Sequence, residues 1–307
     1  MAGVAILMAV YNGATFLQDQ LDSFAAQEGV DWHLLASDDG STDDSAAIVA
    51  RFAAAHPGRV EWVDGPRDGA EANFRSLLDR CPDSADHAAF SDQDDVWLPG
   101  KLARAVAALE RVAPGQPALY CSRTRIVDDD LRPRGLSRRL RRPPSFQNAI
   151  VQNIAGGNTM VMNRAAIDLL KAAHVEAGPV AIHDWWVYQM MTGVGGAVIF
   201  DDTPGLLYRQ HDQNEIGANA GIRAAWGRAK MLAQGRFARW NRMNAAALMA
   251  SAHRLTVPNR KTLIAFDKAL RAPRLRDRLG ALWASGAYRQ SRQSNIALWI
   301  AALTGKL

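Results

Sequence analysis

The spacing of apolar residues changes character along this chain. Val4 to Val10 is an almost unbroken apolar run closed by Tyr11-Asn12-Gly13, and it reads as a buried first strand. Thr15 to Gln27 predicts a helix, Trp32 to Ser37 a strand, Ser45 to His56 a helix and Val60 to Val63 a short strand. Ala88-Ala89-Phe90 is again strand-like, and Pro99-Gly100 opens a helix with Leu102, Val106 and Leu109 on one face. This alternation predicts an open, mostly parallel α/β sheet. Such sheets bind ligands beyond the carboxyl ends of their strands. Tyr11-Asn12-Gly13, Asp38-Asp39-Gly40-Ser41 and Asp92-Gln93-Asp94-Asp95 each follow a predicted strand, so all three should meet on one rim.

Beyond Gly221 the pattern is helical. Ile222, Trp226, Ala229, Ala233, Phe237 and Trp240 recur near a 3.6-residue period, with Arg228, Arg236, Arg239 and Arg242 on other faces. The expected division is therefore a domain over 1–217 and a basic, amphipathic helical region over 218–307. Charge follows this boundary. From Gly221 onward there are 17 Lys and Arg against Asp267 and Asp277, a net +15, whereas the remainder carries −10. Between Arg132 and Pro144 lie six arginines, several prolines and no acid, which predicts a mobile basic loop: either a solvated insertion or a contact for an acidic substrate.

Composition places the chain among globular proteins, at 48% hydrophobic and 22% charged residues. Cys81 and Cys121 are its only cysteines and have no CxxC spacing, so neither a disulfide framework nor a thiolate zinc site is indicated, and a reducing cytoplasm is the simplest location. Val4 to Val10 lacks the basic flank of a signal core. No stretch reaches the roughly 18 to 20 apolar residues needed to span a bilayer.

The chemistry is concentrated in Ser91-Asp92-Gln93-Asp94-Asp95-Val96-Trp97. Three carboxylates within four residues repel one another unless a cation joins them, and hard oxygen ligands suit Mg²⁺ or Mn²⁺. Because Mg²⁺ keeps positions for substrate phosphates, the stretch points to a metal–diphosphate site rather than a solvated acidic turn. Asp38-Asp39-Gly40-Ser41-Thr42-Asp43-Asp44 sits at a strand-to-helix junction. Helix capping accounts for Ser41 to Asp44 but not for two aspartates before the glycine. One of them, Asp39 by preference, can accept the imide N–H of a pyrimidine base; a purely structural turn is the alternative.

Together, Val4–Gly13, Asp38–Ser41 and Asp92–Trp97 with Pro99 and Lys101 resemble the family 2 glycosyltransferases of the GT-A fold. The resemblance continues through Gln152–Asn158, His183-Asp184-Trp185-Trp186 and Tyr208–Asn214, closest to a bacterial rhamnosyltransferase-like branch. It covers about residues 3 to 217. It implies a Rossmann-like mixed, mostly parallel sheet flanked by helices, with a C-terminal helical extension. It also implies Asp39 on the base, Asp92 near the ribose, Asp94 on Mn²⁺ or Mg²⁺ with Asp95 in support, and Asp184 as general base. Ala9, Tyr11, Asn12 and Gln93 belong to the implied nucleotide site, and Gly157, Asn158, His183 and Trp185 to the sugar and acceptor side, with a simple turn the alternative at Gly156-Gly157-Asn158 and core or interface packing the alternative at Trp185. Arg209 can reach the diphosphate and His211 the metal, with a structural role as the alternative for both. Asp184 lies between bulky residues, where partial desolvation would raise its pKa towards that of a useful base. For His183 alone, a packed histidine is the preferred reading.

The implied activity is inverting transfer of a sugar, rhamnose first, from a dTDP- or UDP-linked donor to a cell-surface glycan or lipid-linked acceptor. The chain has no Gln-x-x-Arg-Trp motif, which disfavours a processive synthase. Two other classes stay open: a sugar-nucleotide nucleotidyltransferase, although Tyr11-Asn12-Gly13 is no Gly-rich phosphate loop, and a basic module for an anionic surface or nucleic acid. The acidic body argues against nucleic acid. Trp226, Phe237, Trp240, Trp283 and Trp299 among basic helices suit the inner face of an anionic plasma membrane, the preferred reading, with a packed subdomain or a homodimer interface as the alternative.

Overall fold

A computed structural model describes residues 3–211 and 235–307. Ile222, Trp226, Arg228, Ala229 and Ala233 of the expected helix, and Asp212-Gln213-Asn214 of the last motif, lie outside the described residues.

The expected α/β order is observed from β1 (Gly3–Val10) through α1 (Leu17–Ala25), β2 (Asp31–Asp38) and α2 (Ser45–Ala55) to β3 (Val60–Asp64), and again at β4 (His87–Ser91); α3 (Gly69–Arg80), which lies between them, is an addition to that order. The sheet continues with β5 (Val96–Trp97), α4 (Lys101–Leu109), β6 (Ala118–Val127), β7 (Pro133–Leu136), β8 (Val161–Asn163) and β9 (Ala197–Arg209). Its strand order is β3-β2-β1-β4-β8-β6-β9-β5, with β7 paired to β6. β3, β2, β1 and β4 run parallel, as do β6 and β9, whereas β8, β5 and β7 pair antiparallel. Val10 lies opposite Asp38, and Met8 opposite Ser91. This register sets the polar segments after β1, β2 and β4 side by side.

β1 is apolar throughout because both its faces are covered. Ile6, Met8 and Val10 join Leu17, Leu21 and Phe24 of α1 and Leu102, Val106 and Leu109 of α4 in one core cluster. The intervening Ala5 and Leu7 are equally buried. Nearby, Phe74 of α3 meets Phe90 of β4 edge-on at 5.3 Å.

Part of the basic stretch differs from expectation. Pro133–Leu136 forms β7, an antiparallel edge on β6, where a proline at the first position removes no ladder donor. Asp128 anchors it by accepting from Arg134 at 2.7 Å.

Contacts divide the chain into two units. The first holds 3–138, 155–171 and 197–211; the second holds Arg139–Ile154, Ala172–Gly196 and the described C-terminal residues 235–307. The single cut expected after residue 217 therefore does not describe the grouping. Within the second unit are α5 (Phe146–Ala149), the end of α6 (Arg164–Ala177), α7 (His183–Gly193), α8 (Arg236–Ala250), α9 (Val257–Arg271), α10 (Leu275–Ser285) and α11 (Arg292–Leu303). Two internal segments join the C-terminal helices for physical reasons. The Trp185 indole N–H donates to Ala149 O at 2.6 Å, its ring stacks on Phe237 at 6.5 Å, and Trp240 meets it edge-on. Asn259 donates to the Thr192 and Gly193 carbonyls at 2.9 and 3.0 Å, closing the end of α7.

Arg254 grips Glu176 with Nη2 at 2.6 Å and Nε at 3.0 Å, and this hydrogen bonding pulls the Glu176 pKa from 4.5 to about 2. A folded-state carboxyl that titrates below its unfolded value stabilises above the unfolded pKa, and loses that contribution as pH falls through the folded one. Arg254→Met is expected to cost about 1 kcal/mol at neutral pH, discounted for solvent screening. In denaturant unfolding the gap from the parent should narrow as pH falls from 4.5 towards 2; a pH-independent gap would show that lost packing dominates.

Candidate active site

Side chains stitch the three strand ends together through backbone groups. Gln93 clamps Tyr11 from both sides, accepting its N–H at 2.8 Å and donating to its carbonyl at 2.9 Å. Asn12 takes a left-handed φ of 48°, which a short polar side chain tolerates. Its N–H donates to Ser41 Oγ at 2.9 Å, and its Oδ1 accepts from Thr42 N at 2.8 Å. A Cβ at Gly13 would displace the Gln93 carboxamide, and with it the clamp on Tyr11. Tyr11 is 58% exposed on the rim, and Ala9 lies half-buried two residues behind it.

Asp39 accepts from the amides of Arg67 at 2.7 Å and Gly69 at 2.8 Å, one on each oxygen. It thereby pins the loop after β3, while remaining half-buried with acceptor capacity left for a ligand donor. Arg67, at φ 59°, packs its side chain over Gly40. Nothing in the local sequence pattern marks Arg67 as part of the rim; the Asp39 bonds place it there.

The acidic cluster divides its work. Asp94 Oδ2 faces His211 Nε2 at 2.8 Å, with side-chain exposures of 17% and 9%, and the His211 ring lies 4.9 Å from that of Phe16. The Asp94 carboxylate could hold Mn²⁺ or Mg²⁺ with phosphate oxygens as further ligands, and the His211 imidazole could join it on Mn²⁺ rather than on Mg²⁺. Among the described residues, no group of three or more His, Cys, Asp or Glu gathers as a complete protein cage. Asp92 is half-buried beside them.

Asp95 departs from the supporting metal role expected of it. It is fully buried, Oδ1 accepts from Arg209 N at 3.1 Å and Oδ2 from Asn158 Nδ2 at 2.5 Å, while its own N–H donates to Gln20 Oε1 at 3.1 Å. Burial, then the charges of Asp94 and Asp92, push its pKa well up. Asn158 is thus held inside the protein rather than offered to an acceptor, and Gly157 is buried in the same short 3₁₀ turn, Gly157–Thr159. Arg209 is also internal. Its guanidinium, 2% exposed as a side chain, donates to Asp94 O at 2.9 Å, to Asp129 O and to Asp19 Oδ2 at 2.7 Å, and it lies 4.3 Å over the Phe16 ring. Those donors are spent on holding the loop, which corrects the expected diphosphate contact.

Lys101 is fully buried, with Nζ 3.0 Å from the centre of the Trp97 ring; burial lowers its pKa well below the ordinary lysine range. Phe16, Asp19 and Gln20 were not foreseen. The available signal was Gln20, a polar residue on the apolar face that α1 forms with Leu17, Leu21 and Phe24, and it is buried.

In the second unit, Asp184 occupies the first turn of α7, where a helix N-terminus favours a carboxylate, and it is half-buried. His183 is a packed histidine, its pKa lowered to about 3 by burial. Trp185, with its ring and N–H committed to packing, is no sugar platform.

Asn158→Ala should cost about 2 kcal/mol in equilibrium unfolding, because a buried carboxyl oxygen loses its donor. Parental stability would mean that Asp95 is satisfied otherwise.

The description "Glycosyl transferase family 2" fits residues 5–168. A dTDP-rhamnosyl transferase of Shigella flexneri, RfbG, is 29% identical over 235 residues, spanning 72% of this chain and 77% of that protein. Among solved structures, S. aureus TarS 1–349 in complex with UDP superposes with a TM-score of 0.58 at 15% identity, covering 100% of this chain and 80% of the other. A mannosyltransferase from Pyrobaculum calidifontis, solved with GDP-Man and Mn²⁺, gives 0.51 at 18% identity over 92% of this chain and 85% of its own. These two share the fold, GT-A. With the family pattern spanning more than half of its length and all three polar strand ends, the chain belongs to glycosyl transferase family 2.

Proposed function

We propose that this glycosyltransferase is metal-dependent and inverting, and that it moves rhamnose from a dTDP-linked donor to a hydroxyl of a cell-surface polysaccharide or lipid-linked acceptor. The observation that carries the reading is the Asp94–His211 pair at 2.8 Å, on the rim that also holds Asp39 and Asp92. Asp39 accepts from the base, Asp92 faces the ribose, and Asp94 would hold Mn²⁺ or Mg²⁺, with His211 joining it on Mn²⁺. When bound, the metal neutralises charge on the departing diphosphate. The preference for rhamnose and dTDP is supported by the Shigella flexneri relative.

Asp184 is assigned as the general base. An attacking hydroxyl must lose its proton as the glycosidic bond forms, and a partly buried carboxylate can take it. Attack on the face opposite the leaving diphosphate inverts the anomeric centre. We place the reaction at the cytoplasmic side of the membrane. Among the described residues no helix is long and apolar enough to cross a bilayer.

A thermal-shift panel of dTDP, UDP and GDP sugars with and without Mn²⁺ tests the donor. The dTDP sugar should stabilise most, and only with metal; a metal-independent preference for GDP would sink the assignment. Asp94→Ala should lose the metal-dependent part of the shift. Asp184→Asn should keep it while transfer drops by about 10²- to 10⁴-fold, and full transfer by that variant would remove Asp184 as the base.

A further inference from the structure

Helix α11 presents apolar side chains on two opposite faces. Leu298, Ala301 and Ala302 are buried, whereas Ile296, Ile300 and Leu303, at i, i+4 and i+7, are 61%, 52% and 51% exposed. Trp299 flanks this outer stripe, with its ring 6.4 Å from that of Trp283 on α10, itself 79% exposed. A surface helix normally turns polar residues outward, so an apolar outer stripe marks a face built to be covered.

Basic groups stand at both ends of the stripe. At its start, Gln290 Oε1 accepts from the amides of Arg141 and Arg142 at 2.9 and 3.0 Å, bringing the arginine-rich stretch to the N-terminus of α11. Arg142 also lies 4.6 Å over the Tyr288 ring, and Arg292 opens the helix. At the far end exposed Lys306 follows the helix, whose last carbonyls, Ala302 O and Leu303 O, are capped by Arg278. From Arg278 to Leu307 there is no Asp or Glu.

We propose that this face of the second unit docks on an anionic lipid bilayer, with Ile296, Ile300, Leu303 and Trp283 entering the headgroup boundary and the flanking cations meeting lipid phosphates. The charge pattern selects the occupant. In a symmetric dimer through the same stripe, basic ends would oppose basic ends in either orientation, and like charges across an interface oppose association. A bilayer offers the complementary sign along the whole face. The proposal extends the reading of a lipid-linked acceptor, but the docking is measured without donor or acceptor and can fail while glycosyl transfer stands.

The test is co-sedimentation of the full chain with phosphatidylcholine vesicles containing about 30% phosphatidylglycerol, and with phosphatidylcholine alone. Binding should require the anionic lipid and weaken as salt rises. The pairs Ile296→Ser with Ile300→Ser, and Arg141→Glu with Arg142→Glu, should each weaken it by about tenfold while circular dichroism and the nucleotide thermal shift match the parent. Trp283→Ser replaces the isoleucine pair if that pair misfolds. No pelleting with anionic vesicles at low salt, or pelleting indifferent to these substitutions, overturns the proposal. So does a dimer in sedimentation velocity, without lipid, that the isoleucine pair dissolves: the face would then seat a second copy.

Discussion

A carboxylate cut off from water must find its partners inside the protein, and the rim of the first unit is organised around that requirement at Asp95. Its backbone N–H is tied to Gln20 on α1, one oxygen to the Arg209 amide at the end of β9, and the other to Asn158 of the 3₁₀ turn. Removing any one of these leaves a buried polar group unsatisfied, a cost larger than the net gain from making an ordinary hydrogen bond. The three elements are therefore locked to the acidic loop together. Asp94, next in the chain and less buried, is then set against His211 two residues beyond Arg209. The Asp94–His211 contact is a consequence of the lock.

Arg209 works to the same end. Spread over Asp94 O, Asp129 O and Asp19, it converts one side chain into a bracket for the acidic loop and the end of β9. Arginine suits that position because its planar fork reaches several acceptors at once and stacks on Phe16, which a lysine would not do. Lys101 is buried against Trp97, where desolvation disfavours its charged form. The loop is thus held by hydrogen bonds from inside the protein.

The tryptophans show why an aromatic pattern alone leaves function undecided. Phe237 and Trp240 share the helical period that predicted an amphipathic face, and both are used against Trp185 inside the second unit. Trp283 carries the same chemical signal and stands exposed. Which rings become core depends on α7 coming to lie against α8, a contact between segments more than 40 residues apart. Arg139–Ile154 joins these helices for a similar reason, through the Asn148 bond to the Tyr288 carbonyl. No composition shift at either segment announces it.

Local pattern determined the strand–helix alternation through β3, strand β4, the buried first strand, the α4 face of Leu102, Val106 and Leu109, and the convergence of three polar strand ends, but not α3, because periodicity records which side of an element meets the core. Residue pattern and family resemblance together proposed Asp39, Asp92 and Asp94 for the site. Only tertiary structure divided the adjacent carboxylates, making Asp95 internal and leaving Asp94 to His211, and only tertiary structure turned Arg209 and Asn158 inward. It also found β5 and β7, strands too short or too proline-marked to read. Identical side chains acquire different roles through burial and through hydrogen-bond partners supplied by distant segments, such as Gln20 and Asn158. Neither is encoded in the spacing of nearest neighbours.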